Sequence, residues 1–372
     1  MKNFDIISFS LQFEEDYFNV LKMIKQSGIP LKRKDRSEND PLIIAGGPCA
    51  TANPMPLSDY IDVFVIGEGE VTINKFLDRY LENKNLDNFL DMDGIYIPEF
   101  NNNAKIALID DMKNAYHITQ PIITKTDKED YKTVFSDSIM LNVSRGCTRG
   151  CRFCMSSYLY RPLRETTIKE LVDIALKTRE NTNLNKITLI GAAVGDYYDL
   201  EGLTKALESE GFQIATPSLR IDSLSRETLE TLKKSGLKSI TIAPESISTL
   251  RERINKSIPD EKIFSVIKNA VDLDFNIKLY FLIGIPYESK EDIEELANYI
   301  EKIANMHKNR KYIKFSINPV IPKPQTPLQW EVYNFKEIKS KTRYLKKKLR
   351  KYNVKFESPK KGLIQYILSC GN

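Results

Sequence analysis

The sequence predicts an α/β protein: a partial, TIM-like (β/α)6 barrel preceded by a small Rossmann-like α/β unit. Three observations predict it. Apolar runs of strand length alternate with amphipathic helical stretches, the pattern of a parallel sheet covered by helices. The alternation occurs over residues 1–83 and resumes from Asp137, with polar chain between. The second stretch holds six strand–helix repeats, which suits an open barrel with its chemistry at the carboxyl ends of the strands.

The elements follow in order. Within 1–83, Asp5–Phe9 reads as a buried strand and Glu14–Gln26 as a helix with Phe18, Leu21, Met23 and Ile24 on its apolar face. Pro41–Ala45 and Ile61–Ile66 read as further strands, ending at Gly46-Gly47-Pro48 and Gly67-Glu68-Gly69-Glu70, and a helix then runs to about Leu81. Residues 84–137 read as a polar connector in which GIYIP and KIALI predict a hairpin. Over 138–332, the barrel, the predicted strands are Ile139–Val143, Lys186–Ile190, Gln213–Pro217, Ser239–Ala243, Asn276–Ile283 and Ile313–Asn318. Helical faces between them group Ile168, Leu171, Val172, Ala175 and Leu176; Ile263, Val266, Ile267, Ala270 and Val271; and Ile293, Leu296, Ala297, Ile300 and Ile303. The last is entered through Ser289-x-x-Asp292, a capping-box pattern. Residues 333–372 read as a basic helix and tail. Ile338, Leu345 and Leu349 share its apolar face, and the lysines and arginines of 339–355 form a solvated one.

Composition narrows the function classes. With 55 basic and 50 acidic residues the net charge of +5 is small for the length, so it does not call for nucleic acid. No apolar run approaches the roughly 20 residues that span a bilayer. The start, MKNFDIISFS, lacks the basic and apolar regions of a secretory leader, so the expected location is the cytoplasm. Five cysteines, unevenly placed, do not make a disulfide framework. Three of them, Cys147, Cys151 and Cys154, cluster as metal ligands do in a reducing compartment.

That cluster reads Ser144-Arg-Gly-Cys147-Thr-Arg-Gly-Cys151-Arg-Phe-Cys154, directly after the first barrel strand. Thiolates suit iron–sulfur clusters or zinc. Cubane clusters normally take four cysteines, so three leave one iron open to a further ligand. A zinc knuckle is the alternative, but it needs a fourth ligand nearby. His117, His307, Cys49 and Cys370 are all remote in sequence.

Cys-x3-Cys-x-Phe-Cys opening a partial barrel resembles the radical S-adenosylmethionine (SAM) superfamily. The resemblance implies a 4Fe–4S cluster on Cys147, Cys151 and Cys154 whose open iron chelates SAM. Its reduction cleaves SAM to a 5′-deoxyadenosyl radical that abstracts hydrogen, with electrons from a reductant of the ferredoxin or flavodoxin type. It also implies SAM contacts at Phe153, on adenine; at Gly191, in Gly191-Ala192-Ala193; at Ser218 and Arg220, in Ser218-Leu-Arg220-Ile-Asp222; at Glu245, after Ala243-Pro244; and at Ile283, before Gly284-Ile-Pro286. Each has a structural alternative: Arg220 and Asp222 as an ion pair, and Pro244, Gly284 and Pro286 as turn residues.

Residues 1–83 resemble the cobalamin-binding domain that precedes many such barrels, through Ser8-Phe-Ser10-Leu11, Ile44-Ala-Gly46-Gly47-Pro48 and Val65-Ile-Gly67-Glu68-Gly69-Glu70. The resemblance implies cobalamin contacts at Ser10, Leu11, Gly46 and Gly47. The usual first strand and its Asp-x-His-x-x-Gly loop are missing, so the unit reads as a truncated cobalamin domain that lacks the usual histidine ligand to cobalt. The chain most resembles the archaeal branch of these proteins, which includes cobalamin-dependent C-methyltransferases. By that analogy it methylates a carbon of a protein residue, the candidate being a glutamine of methyl-coenzyme M reductase. A cobalamin-free oxidoreductase or rearrangement enzyme is the alternative.

Overall fold

The computed structural model describes residues 1–123, 128, 131, 135, 137–215, 219–234 and 236–371. Apolar runs without alternation become strands covered on both faces, as parallel sheets require. In the N-terminal unit these are β1 (Ile6–Ser10), β2 (Leu42–Gly46) and β3 (Val63–Val65), with α1 (Asp16–Gln26), α2 (Pro48–Ala52) and α3 (Gly69–Glu82) between and after them. β1, β2 and β3 pair in parallel, in that order.

One face of this sheet packs on a core containing Tyr17, Val20, Ile24 and Leu57; the other packs on Phe76, Tyr80 and Phe89. The buried stripe of α1 is therefore Tyr17, Val20 and Ile24, whereas Phe18 and Met23, expected inside, are exposed. The stripe keeps a helical spacing but starts one residue earlier than Phe18.

The connector contributes to the same sheet. β4 (Ile95–Tyr96) adds antiparallel to β3. Gly94 donates to the Lys105 carbonyl, and Ala107 bridges Gly67 in parallel. The two apolar pieces expected to form a hairpin thus lie side by side against the end of β3. The rest of the connector's described residues carry short turns.

The barrel begins with β5 (Ile139–Asn142). A short antiparallel pair follows, β6 (Ser144–Arg145) with β7 (Arg164–Glu165), spanned by α4 (Ser156–Leu159). Then come α5 (Ile168–Thr182), β8 (Lys186–Ile190), α6 (Leu200–Ser209), β9 (Gln213–Ala215), α7 (Arg226–Lys234) and β10 (Ser239–Glu245). Next are α8 (Ser248–Arg253), α9 (Asp260–Asp272), β11 (Asn276–Ile283), α10 (Lys290–Ala304) and β12 (Ile313–Pro319). The chain closes with α11 (Phe335–Lys348), β13 (Val354–Phe356) and α12 (Pro359–Cys370).

Two parallel sheets, β5-β8-β9 and β10-β11-β12-β13, make up the wall. Leu219 donates to the Thr241 carbonyl, linking the chain after β9 to β10. The wall is an open, partial TIM-like barrel. Residues 216 and 217 of the expected third strand lie outside the described residues. Two helix starts carry capping boxes: Ser289 and Asp292 form the expected one on α10, and Thr167 and Glu170 form another on α5.

The C-terminal helix α12 fastens the N-terminal unit to the barrel. Asn53 donates its amide to the Ser369 and Gly371 carbonyls, at 3.0 and 2.9 Å. Buried Glu14 accepts from Lys323 at 2.5 Å, Ser369 Oγ at 2.7 Å and Gln365 at 3.0 Å. Burial alone raises the Glu14 pKa. The Lys323 charge, with hydrogen bonds from Lys323, Gln365 and Ser369, outweighs burial and holds it below the ordinary carboxylate value. A depressed native pKa stabilises the fold above the unfolded value, and the stabilisation fades as pH falls through the native one. Protection of α12 amides from hydrogen exchange is therefore expected to drop in acid. In Glu14→Gln it is expected to be low already at neutral pH and nearly flat with pH.

Candidate active site

The cysteine loop owes its shape to tight backbone contacts. Gly146 has φ +87°, and a Cβ there would overlap the carbonyl oxygens of Tyr160 and Pro162. Gly150 also has positive φ, +67°. Asn255 donates to the carbonyls of Arg149 and Gly150, at 3.1 and 2.9 Å, and Tyr158 OH donates to Gly150 at 2.9 Å. Arg152 N–H donates to the Ile254 carbonyl, and Leu328 N–H to the Arg152 carbonyl. The loop is thus held from several sides by the chain's own groups. Gly146→Ala is expected to force this loop outward, because it adds both steric overlap and an unfavourable φ. The expected outcome is a chain that still folds yet retains less iron after anaerobic reconstitution and desalting, measured by colorimetric iron assay.

Cys147, Cys151 and Cys154 line one cavity of about 210 Å³. Cys147 and Cys151 are 7% and 6% exposed, so the cavity end is largely shut off from water. Burial pushes the Cys151 thiol up, with Lys256 and Arg220 opposing. Among the described residues, no three His, Cys, Asp or Glu side chains are grouped to hold a single metal ion. Three thiolates spread around a cavity suit a larger, multi-iron cluster.

Around the same cavity stand Phe153, Ala192, Ala193, Arg220, Glu245, Lys256 and Tyr280. Arg220 grips Asp222 through two bonds of 3.0 and 2.9 Å, and Arg149 grips Asp196 through two of 2.9 and 2.8 Å. Arg149 also lies 3.2 Å from Asp222, and Arg220 3.7 Å from Asp196. The four residues form a charge-balanced ring, so the ion-pair alternative for Arg220 and Asp222 holds in this structure. Glu245 follows a register shift in β10 and adopts φ +69°, a strained value for a side chain of its size. Its carboxylate meets Lys256 at 2.6 Å, and burial pushes its pKa up against that partner.

The expected SAM contacts separate. Phe153, Arg220 and Glu245 come together in the cavity. Gly191 lies beneath it: a Cβ there would stand 2.7 Å from Ser144 Oγ, and its neighbours Ala192 and Ala193 form the wall instead. Ile283 is buried at 1% exposure in the barrel core, and its carbonyl accepts from Val320 N–H. Ser218 lies outside the described residues. Lys256, Tyr280, Arg149 and Asp196 were not singled out from sequence. Tyr280 had a signal, since the two-residue period of Asn276–Ile283 puts it on the face opposite the buried Leu279 and Phe281. Lys256 had none.

A second chamber, about 490 Å³, adjoins the first through Phe153. Phe13 and Glu15 of the N-terminal unit line it, together with Leu282, Asn318, Val320 and Lys323 from the barrel and Lys361 and Gln365 from α12. The proposed cobalamin residues are not in its lining. Leu11 N–H bonds Gly46 O, Cys49 N–H bonds Leu11 O, and a Cβ on Gly47 would lie 2.9 Å from Leu11 O. Leu11 is 1% exposed, and Ser10 accepts from Gln12. Leu11, Gly46 and Gly47 thus form one turn tied by backbone contacts, with Ser10 exposed at its edge. The glycine at position 47 serves the chain's own close approach.

An open α/β barrel with three thiolates at the carboxyl end of its first strand defines a radical SAM enzyme. Residues 141–300 match the Radical SAM superfamily, and residues 1–98 match the N-terminal region of radical SAM proteins. An uncharacterised protein of Methanocaldococcus jannaschii is 35% identical over all of this chain and 79% of its own length. An uncharacterised methyltransferase of Pyrococcus horikoshii is 24% identical over 78% of this chain and 62% of its own. The structure of the radical SAM methyltransferase TsrM from Kitasatospora setae, with cobalamin and a [4Fe–4S] cluster bound, superposes with a TM-score of 0.65. It covers 88% of this chain and 66% of that one at 11% identity, a likeness of fold. The chain belongs to the radical SAM superfamily, and that membership implies a 4Fe–4S cluster and SAM. Among the described residues no helix is long and apolar enough to cross a membrane.

Proposed function

We propose that this chain is a cobalamin-dependent radical SAM C-methyltransferase of the archaeal branch, whose acceptor carbon enters the second chamber. The observation that carries the reading is the pair of chambers joined at Phe153, one lined by the three thiolates and the other shared by barrel, N-terminal unit and α12. The methyltransferase relative and the TsrM-like fold support it. Bound cluster and SAM supply the radical chemistry. The chain's residues do the rest. Phe153, Arg220 and Glu245, with the backbone beside Gly191, are the proposed holders of SAM, and Lys256 fixes the Glu245 carboxyl in place at 2.6 Å. The apolar walls keep water from a reactive intermediate. A protein residue is the proposed acceptor, with the methyl-coenzyme M reductase glutamine as first candidate. A cytoplasmic location goes with this reading, because cysteine-ligated clusters need reducing surroundings.

A cobalamin-free radical oxidoreductase or rearrangement enzyme is the second reading, favoured by the self-closed turn of Leu11, Gly46 and Gly47. The two separate on one preparation. The protein is reconstituted with iron, sulfide and hydroxocobalamin, desalted, assayed for cobalt, and given SAM labelled in its methyl group. Stoichiometric cobalt and labelled acceptor support the first reading. Iron without cobalt, and no labelled acceptor, support the second.

A further inference from the structure

We infer that the amino-terminal half of the barrel lumen is a binding site for the phosphate group of a small molecule. The site is separate from the second chamber, and its occupancy does not depend on the methyl-transfer reading.

Strand alternation fixes which side chains face inward. Ile277, Leu279 and Phe281 of β11, and Ile313, Phe315 and Ile317 of β12, belong to the core under the helices. Their neighbours Lys278, Tyr280, Lys314 and Ser316 therefore face the lumen. Lys278 pairs in register with Lys314, and Lys355 of β13 with Ser316. Adjacent strands lie about 4.8 Å apart, so the three lysine stems rise from one patch. All three lysines are exposed. Lys278 donates to Tyr280 OH at 2.5 Å, and among the described residues none of the three forms an ion pair. Lysine on an edge strand discourages pairing with other chains, which accounts for Lys355. β11 and β12 are inner strands, so edge protection does not account for Lys278 and Lys314. Side by side without a carboxylate, those two repel each other, and an anion between them replaces repulsion with attraction.

The lumen has room for a ligand. A closed eight-stranded barrel fills its interior with layers of side chains. Here the facing sheet presents Met140, on the inner side of β5 because Ile139, Leu141 and Val143 pack with Leu171 and Ala175 of α5. Met140 is 55% exposed, so the space before it is unfilled. An apolar wall opposite a cationic one focuses the field and favours an anion. A carboxylate brings one charge, whereas a phosphate monoester brings about two at neutral pH, the better match for three ammonium groups.

Position ties the site to the chemistry. Thr241, the register partner of Lys278, and Tyr280 both line the thiolate cavity. A phosphate held by the lysines leaves the rest of its molecule directed along the lumen toward the thiolates. The second chamber is lined instead by Leu282, Asn318 and Val320, at the carboxyl ends of the same strands. The two ligands thus enter from opposite ends of the barrel.

The test uses the cluster-loaded chain without SAM, with inorganic pyrophosphate as the probe. Lysines are labelled with acetic anhydride and read by mass spectrometry. Pyrophosphate is expected to protect Lys278, Lys314 and Lys355 and to leave Lys347, exposed on α11, unchanged. Calorimetric titration is expected to show binding that weakens with salt and falls about tenfold in Lys314→Glu. Lys347→Glu, the same charge change elsewhere, should bind as the parent does. If Lys314→Glu does not fold, labelling of the parent decides. Equal labelling with and without pyrophosphate overturns the inference, as does equal weakening in the two variants. Citrate that protects the three lysines as well as pyrophosphate does overturns the phosphate assignment. An RNA of mixed sequence that binds the parent tightly, is lost in Lys314→Glu and is not displaced by pyrophosphate overturns the small-molecule assignment.

Discussion

Cys151→Ala is expected to abolish reductive cleavage of SAM while leaving the fold intact. Cys151 is one of three thiolates on the cavity wall, and each is needed to hold an iron of the cubane. Loss even of an outer-shell partner typically weakens metal affinity or activity by about 10–100-fold, so loss of a direct ligand should exceed that range. Iron per chain should fall well below the roughly four of an intact cluster. Cys49→Ala is the matched control. Cys49 is buried beside Tyr17, where burial pushes its thiol up to about 12, and it stays protonated and inert. Cys49→Ala should keep both iron and 5′-deoxyadenosine formation. Normal cleavage by Cys151→Ala would remove that thiolate from the cluster assignment.

Arg164→Met is expected to destabilise the junction of the two units by about 3–5 kcal/mol, the range for breaking one side of a buried ion pair. Glu68 and Arg164 are each 5% exposed in their side chains and share two bonds, of 2.8 and 3.1 Å. Glu68 also accepts from Ile109 N–H, and Arg164 donates to the Ile109 and Tyr160 carbonyls. Glu68 starts α3 of the N-terminal unit, and Arg164 lies on β7, beside the cysteine loop. Removing the guanidinium leaves the buried Glu68 carboxylate with one more distant cation, Arg145 at 3.4 Å, and the Ile109 N–H. The double variant Glu68→Gln/Arg164→Met should recover part of the loss, because no net charge is then stranded. The check is the first midpoint of urea unfolding in the singles and the double. Equal midpoints for Arg164→Met and the parent would show that the pair holds nothing together. Because Arg145 also bonds Glu70 at 2.7 Å, the third-strand loop is engaged with the barrel along its length.

The parts legible in the sequence are those set by local rules. The strands Lys186–Ile190 and Asn276–Ile283 fall where expected, because both are rich in the β-branched, aromatic and other apolar residues that pack well in a sheet. The capping box at Ser289 is a four-residue pattern and needs no tertiary information. The cysteines were legible because their ligand spacing is local too. β13 was missed: Val354–Phe356 is only three residues long, and basic chain precedes it. It forms because the edge of β12 needs a partner, a demand that arises only once the barrel exists. The ring of Arg149, Asp196, Arg220 and Asp222 assembles from three loops, so no spacing announces it. Ile283 was expected as a SAM contact from the family resemblance of Ile283-Gly284-Ile-Pro286, and the pleat turns its side chain into the core. A glycine permits close approach of backbone to a ligand or to backbone, and at Gly47 the approaching group is Leu11.

The measurement closest to the central claim is made on the anaerobically reconstituted chain, reduced with dithionite and given SAM. Low-temperature electron paramagnetic resonance reports the cluster, and chromatography reports 5′-deoxyadenosine and methionine. The account predicts a reduced-cluster signal that changes shape when SAM is added, and the two products in equal amounts. A signal indifferent to SAM, with no 5′-deoxyadenosine formed by protein carrying about four irons, would contradict it.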